Sequence, residues 1–236
     1  MKRLMMSLRQ DILLQRRYGF YYAALFVTLV WVILIRFLPK DYREFLLPLV
    51  IFLDLGMIGF YFIAGQIIFE KAEKTLQILN ITPLSLEEYL GSKLVTFSFL
   101  AWLVSMTVAV ASLGIHFNLL LFSLGVWLTS LLMLVAGVTG VAPYHSISSF
   151  IMPSQLYLLI LVLPLLSFVG WLNTPLFYLI PTQGSLLLLK GAFNPIKAWQ
   201  IAYAVIYQLV WILLLFFWAR FRLQRYLGSQ GGGKKE

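Results

Sequence analysis

Six long apolar runs decide what this chain can become. They cover about Tyr18–Phe37, Phe45–Phe69, Leu94–Ile115, Leu119–Ala142, Gln155–Leu172 and Trp199–Ala219. Each reaches the roughly 18 residues that carry a helix across a hydrocarbon layer. Of the 236 residues 61% are hydrophobic and only 11% charged, less than half the roughly 25% of an ordinary soluble domain. So few charges cannot cover a water-facing surface, which leaves a bilayer as the solvent. The expected fold is an all-α integral membrane protein with six transmembrane helices in a domain spanning 18–222.

The connectors are short, so successive helices are expected to be antiparallel neighbours. Basic residues then set the orientation. Thirteen fall on one side: five before the first run, then Lys71, Lys74 and Lys93, then Arg220, Arg222, Arg225, Lys234 and Lys235. The opposite side holds five, namely Arg36, Lys40, Arg43, Lys190 and Lys197. That bias predicts a plasma-membrane protein with both termini in the cytoplasm, and it reads the net charge of +9 as topology rather than nucleic-acid binding. The first run is too long for a cleavable signal, and Arg36 to Lys40 offers no small-residue cleavage site. Pro175 to Leu189 is short and broken by Pro181 and Gly184, so 173–198 is expected to be an outer re-entrant segment rather than a seventh span. Pro164 predicts a kink in the fifth span, and Ala136 with Gly140 forms a small-residue pair for close helix packing.

Residues 1–17 read as an amphipathic interfacial helix. Leu4, Leu8 and Ile12 recur every four residues, while Lys2, Arg9 and Arg16 recur every seven elsewhere, placing cations at the headgroups. Residues 223–236 read as a flexible cytoplasmic tail. Their Gly228 to Lys235 stretch matches only the start of a phosphate-binding loop, without the hydroxyl residue and the strand–helix context. With no cysteine and two histidines in opposite loops, no metal or cofactor site is expected in this chain.

The polar stretch 70–93 interrupts the pattern and carries four of the nine acidic residues. From Glu70 good helix formers continue the second run toward Leu79, and Pro83 forces a stop. Ser85 and Glu88 then form a capping box that restarts a helix. The unit reads as a stiff helix–turn–helix elbow with Leu76 and Leu79 beside the turn, an apolar tip that calls for a partner. Glu70 and Glu73 are expected to make polar contacts there or to brace the elbow. Asp54, in the middle of the second run, is either a lining or switch residue of a translocation path or a carboxyl satisfied between helices.

The spacing Glu70, Glu73, Thr75-Leu76, Leu79, Thr82-Pro83-Leu84-Ser85, Glu88-Tyr89 and Lys93 resembles the signature of permease subunits of type-2 ABC exporters. The outer stretch Tyr178 to Ser185 is similar to that family's motif before the last span. Small bacterial drug-export permeases of the fluoroquinolone kind are the nearest in look. Lys74 departs from the pattern, since many members carry glycine there. The resemblance implies a permease without its own ATPase site, paired with a second permease and with two copies of an ABC ATP-binding subunit that binds ATP and Mg. It also implies an elbow seated in a groove of that subunit through Glu70, Glu73, Thr75, Leu76, Leu79, Thr82 and Pro83. The expected cargo is a small amphipathic or lipid-like molecule leaving the cytoplasm. An intramembrane lipid-modifying enzyme, with Asp54 as its acid or base, and a non-catalytic membrane scaffold are the alternatives.

Overall fold

In hydrocarbon an unpaired backbone N–H or C=O is costly, and a helix satisfies all of them within one segment. A computed structural model describes the backbone of residues 2–76, 84–172 and 174–231 and, within these, the side chains of all but 2–4, 40, 41 and 229–231. The described residues form α1 (Lys2–Arg17), α2 (Phe20–Arg36), α3 (Lys40–Asp54), α4 (Phe60–Ala72), α5 (Leu86–Leu113), α6 (Leu119–Val141), α7 (Ile147–Val162), α8 (Leu165–Val169), α9 (Thr182–Phe193) and α10 (Ala198–Gly231). Among them there is no strand.

Four stretches are long and apolar enough to cross a membrane: Tyr42–Ala72, Leu86–Leu113, Leu119–Val141 and Ala198–Gly228. A fifth is counted when α1 and α2, bent by 65°, are taken together. The bend falls at Gly19, whose φ of 82° lies in the left-handed region that a side chain disfavours. The fifth expected run behaves differently from its reading. Its helix begins at Ile147, where the Ser146 hydroxyl accepts from the Ser149 N–H, not at Gln155. It ends at Val162, and α8 resumes after Pro164. Proline has no N–H to donate and its ring crowds the preceding turn, so the expected kink is a break.

The second run is continuous but changes pitch. A π-helical turn at Leu55–Gly59 follows directly on Asp54 and joins α3 to α4. Such single turns inside a helix recur at functional sites.

α6 is the centre of the packing, against α4, α5, α9 and α10. Gly137 makes the α4 contact possible: a Cβ there would sit 2.6 Å from the Phe60 carbonyl oxygen and 2.9 Å from Ile63 Cγ2. Close packing therefore belongs to Gly137, while Ala136 and Gly140 border an open slot. One core cluster, including Phe60, Ile67, Phe97, Val138 and Phe150, fills the end of the bundle nearer the elbow. A second, including Leu47, Phe52, Val108, Phe122 and Leu189, fills the other.

The segment after α8 folds as a 3-10 turn at Pro175–Leu179 followed by α9. Most of α9 is buried, packed on α6 and α10. The expected tail 223–236 needs correction, because α10 stays helical through Gly231. Residues 232–236 lie outside the described residues.

Overpacking of a tight contact typically costs about 1–3 kcal/mol, and the methyl of Gly137→Ala would strike backbone. Detergent-solubilised Gly137→Ala should unfold several degrees below the parent. Gly228→Ala, with nothing within 4 Å of its new Cβ, should match or exceed the parent. Equal unfolding temperatures for parent and Gly137→Ala would mean that α4 and α6 do not touch there.

Candidate functional site: a polar joint beneath the elbow

Helix α1 turns a polar stripe toward α5. Ser7, Asp11 and Gln15 recur every four residues, share one face and are buried against α5. Met5, Met6, Ile12 and Leu13 stay exposed on the other side. The interleaved Ser7, Asp11, Gln15 stripe is the sequence signal for the site, hidden among the apolar and basic periodicities of the same helix.

Lys93 occupies the centre. Its Nζ lies 2.6 Å from Asp11 Oδ1 and 2.6 Å from Glu70 Oε1. All three side chains are at most 5% exposed. Two carboxylates on one ammonium leave oxygen lone pairs over, and neutral donors take them. Gln66 Nε2 donates to Asp11 Oδ1 at 3.1 Å and to Glu70 Oε1 at 2.9 Å. Tyr89 OH donates to Glu70 Oε2 at 2.5 Å, and Ser92 Oγ donates to Asp11 Oδ2. An outer ring extends the network: Ser7 Oγ and Ser92 Oγ share a 2.8 Å bond, Gln15 Nε2 donates to Thr96 Oγ1 at 2.8 Å, and Tyr21 OH donates to Gln15 Oε1 at 3.1 Å. Burial pushes the Asp11 carboxyl above the ordinary carboxylate range, and the Lys93 ammonium pulls it back. The joint thus fastens α1, α2, α4 and α5 together at the base of the elbow.

The elbow leaves this joint sooner than expected. α4 ends at Ala72, and Thr75 Oγ1 turns back to donate to the Glu70 carbonyl at 3.1 Å. Lys74 has a φ of 58°, alone among the described non-glycine residues in having a positive φ. The sharp turn therefore persists although lysine stands where glycine would be easier. Lys71 points the other way: its Nζ donates to the carbonyls of Ala142 at 2.7 Å and Tyr144 at 2.8 Å, completing the C-terminal end of α6. Lys71 and Lys93, counted among the surface cations, are in fact buried.

The expected partner contacts divide. Glu70 is 3% exposed and Leu76 is 1% exposed, so neither is presented to a second protein, and Leu76 packs into the core. Each is drawn inward, by the Lys93 charge and by apolar burial respectively. Glu73 is exposed, bonded to Arg17 at 3.1 Å and to Tyr18 OH at 3.0 Å. Leu79, Thr82 and Pro83 lie outside the described residues. The capping box is present, with Glu88 N–H on Ser85 Oγ at 3.1 Å and Ser85 N–H on Glu88 Oε2 at 3.0 Å.

Asp54 stands apart from this joint. It is 8% exposed, accepts a hydrogen bond from the Trp31 side chain, and borders a cavity of about 10 Å³ with Ile58, Phe62 and Leu100, room for about one water. Among the described residues no three His, Asp or Glu side chains group as a metal site.

The bundle and its polar joint do not by themselves name a protein class, and comparison with relatives does. The profile of the fluoroquinolones export permease protein family matches residues 2–230. The chain belongs to that family. Two Mycobacterium tuberculosis proteins, from strains CDC 1551 / Oshkosh and ATCC 25618 / H37Rv, are each named fluoroquinolones export permease protein. Each is 36% identical over 213 residues, covering 89% of this chain and 90% of its own length. No solved structure matches the chain significantly. The permease assignment agrees with the resemblance carried by the elbow and places the protein in a membrane as a transport component.

Removing one partner of a buried ion pair costs about 3–5 kcal/mol, whereas an exposed pair is worth under about 1 kcal/mol. Lys93→Met in the detergent-solubilised permease should therefore lower the unfolding temperature far more than Glu73→Ala. The triple change Asp11→Asn, Glu70→Gln, Lys93→Met should recover much of the loss, since no charge is then stranded. If Lys93→Met and Glu73→Ala are equally mild, the joint is solvated rather than buried.

Proposed function

We propose that this permease is the membrane-spanning subunit of an ATP-driven exporter that depends on a separate ABC ATP-binding subunit. In this reading two copies of that subunit bind ATP and Mg, a second permease, identical or paralogous, completes the pore, and this chain hydrolyses nothing itself. The observation that carries it is the placement of Glu70 and Lys93 on the two helices flanking the elbow, joined to each other and to Asp11. A push on the elbow is then felt by α1, α4 and α5 together.

Segment 77–83, with Leu79, Thr82 and Pro83, forms the contact with the ATPase. Glu70, Thr75 and Leu76 act from behind as braces, and Glu73 ties the elbow to the α1–α2 bend. The spans are α2, α3 with α4, α5, α6, α7 with α8, and α10. α9 is an outer re-entrant element, and both termini face the cytoplasm of a plasma membrane. The cargo is a small amphipathic molecule; the relatives are named for the export of fluoroquinolones. Asp54, bonded to Trp31 beside the π-turn, serves as a latch between the first two spans during the cycle.

Truncating a well-packed interface leucine costs more than about 1 kcal/mol, at least a fivefold loss of affinity, while a rim charge costs little. Leu79→Ala with Pro83→Ala should reduce recovery of a co-expressed ATPase at least about fivefold, and Glu87→Ala should leave it unchanged. Equal recovery from all variants would remove the elbow from the interface. The absence of native cysteine permits a topology test as well: Glu87→Cys and Gly228→Cys should label from the cytoplasmic side and Lys190→Cys from outside. Labelling of all three from one side would refute the six-span arrangement.

A further inference from the structure

Between α6, α7 and α10 lies a slot of about 380 Å³. Its walls are apolar over most of their length, from Phe60, Ala136, Ile160, Leu161, Trp211 and Leu215. Its two ends differ. One is closed by Leu179, Ile180 and Pro181 of the 3-10 turn and its exit, and the other by Thr139, Trp218 and Arg222. Trp211 and Arg222 lie eleven residues apart on α10, which at 1.5 Å per residue is about 16 Å of slot.

Arg222 is the single cation among the lining residues. One Nη1 N–H donates to the Thr139 carbonyl at 3.0 Å, and the guanidinium carbon sits 4.6 Å from the Trp218 ring centroid. No carboxylate among the described residues pairs with it. The remaining guanidinium donors are free to hold an anion. Arg222 also stands at the elbow end of the bundle, one turn before Tyr226, whose ring lies 4.2 Å from Lys71 Nζ. In the proposed arrangement of spans, that is the level where the acyl region gives way to headgroups. The slot opens sideways, since Tyr157, Ile160 and Trp218 are all exposed.

Which occupant fits follows from where the polar groups are. Sites for drug-sized molecules are also mostly apolar, with a small number of polar groups placed to fix the ligand's orientation. This slot concentrates its charge at one end and offers hydrocarbon elsewhere, the pattern of a lipid tail below an anionic head. We propose that the slot holds one acyl chain of an anionic phospholipid, with the lipid phosphate on Arg222. Basic pockets between membrane helices on the cytoplasmic side take such headgroups, and arginine meets phosphate in a forked geometry. The site is separate from the polar joint and from the elbow; it rests on the proposed orientation of α10 and not on the ATPase partnership.

Native mass spectrometry of the full-length permease decides it, after reconstitution in nanodiscs of equal phosphatidylglycerol and phosphatidylethanolamine and gentle release. The parent should retain one phosphatidylglycerol with about tenfold preference, the size of one charge-assisted hydrogen bond. Arg222→Gln should lose the preference while still binding lipid. Ala136→Phe, which fills the slot and keeps Arg222, should lose the retained lipid. Arg225→Gln, on a residue that does not line the slot, should behave as the parent. Undiminished retention of phosphatidylglycerol by both Arg222→Gln and Ala136→Phe would overturn the assignment. Displacement of the lipid from the parent by 2-naphthoate, a small aromatic acid, would also overturn it and give the slot to a soluble anion.

Discussion

An ammonium group with its side chain 1% exposed, in a protein surrounded by hydrocarbon, stays charged only where close acceptors or opposite charges replace water. Lys93 meets that condition through Asp11 and Glu70 at 2.6 Å each, with Gln66, Tyr89 and Ser92 closing the remaining lone pairs. Such a network adds little net stability over a well-packed apolar core, because desolvation offsets most of the attraction. What it supplies is position. Rotating α1 by one residue would swing Asp11 about 100° off Lys93 and strand a charge, so α1 has one workable register against α5.

The consequences run outward from this point. Glu70 and Lys71 are neighbours in sequence yet grip opposite sides of the bundle, Glu70 holding α5 and, through Lys93, α1, and Lys71 holding the end of α6. The last turn of α4 is therefore committed in two directions, and the left-handed Lys74 ends it there. Gly137 brings α4 against α6 higher in the bundle. The base of the elbow, α1, α4, α5 and α6 are thus coupled mechanically.

Much of this was legible in the sequence because bilayer physics is coarse. Runs of roughly twenty apolar residues near Leu94 or Leu119 admit one structure, and the Ser85–Glu88 capping box is a local interaction that needs no tertiary context. Other features depend on who stands opposite. Ser7, Asp11 and Gln15 look like a solvated face until Lys93 is set beside them, and Glu70 and Leu76 look exposed for the same reason. The end of α4 at Ala72, despite good helix formers beyond it, reflects the pull of Glu70 and Lys71 over propensity. The short α7 and the small-residue contact at Gly137 rather than Ala136 depend on the rotation of neighbouring helices, which periodicity alone leaves open. Glycine and serine near the C-terminus suggested a tail, yet the preceding helix carries through them to Gly231.

The most direct test of the joint uses the cysteine-free background. Ser7 and Ser92 place their hydroxyl oxygens 2.8 Å apart on α1 and α5. If α1 is locked to α5 by the buried charges, Ser7→Cys with Ser92→Cys should cross-link rapidly and nearly completely under mild oxidation in membranes. Met6→Cys with Ser92→Cys, one position round the helix on its exposed side, should not. A failure of the first pair to cross-link, or equal cross-linking of both, would show that α1 moves freely on the membrane surface and would contradict the account.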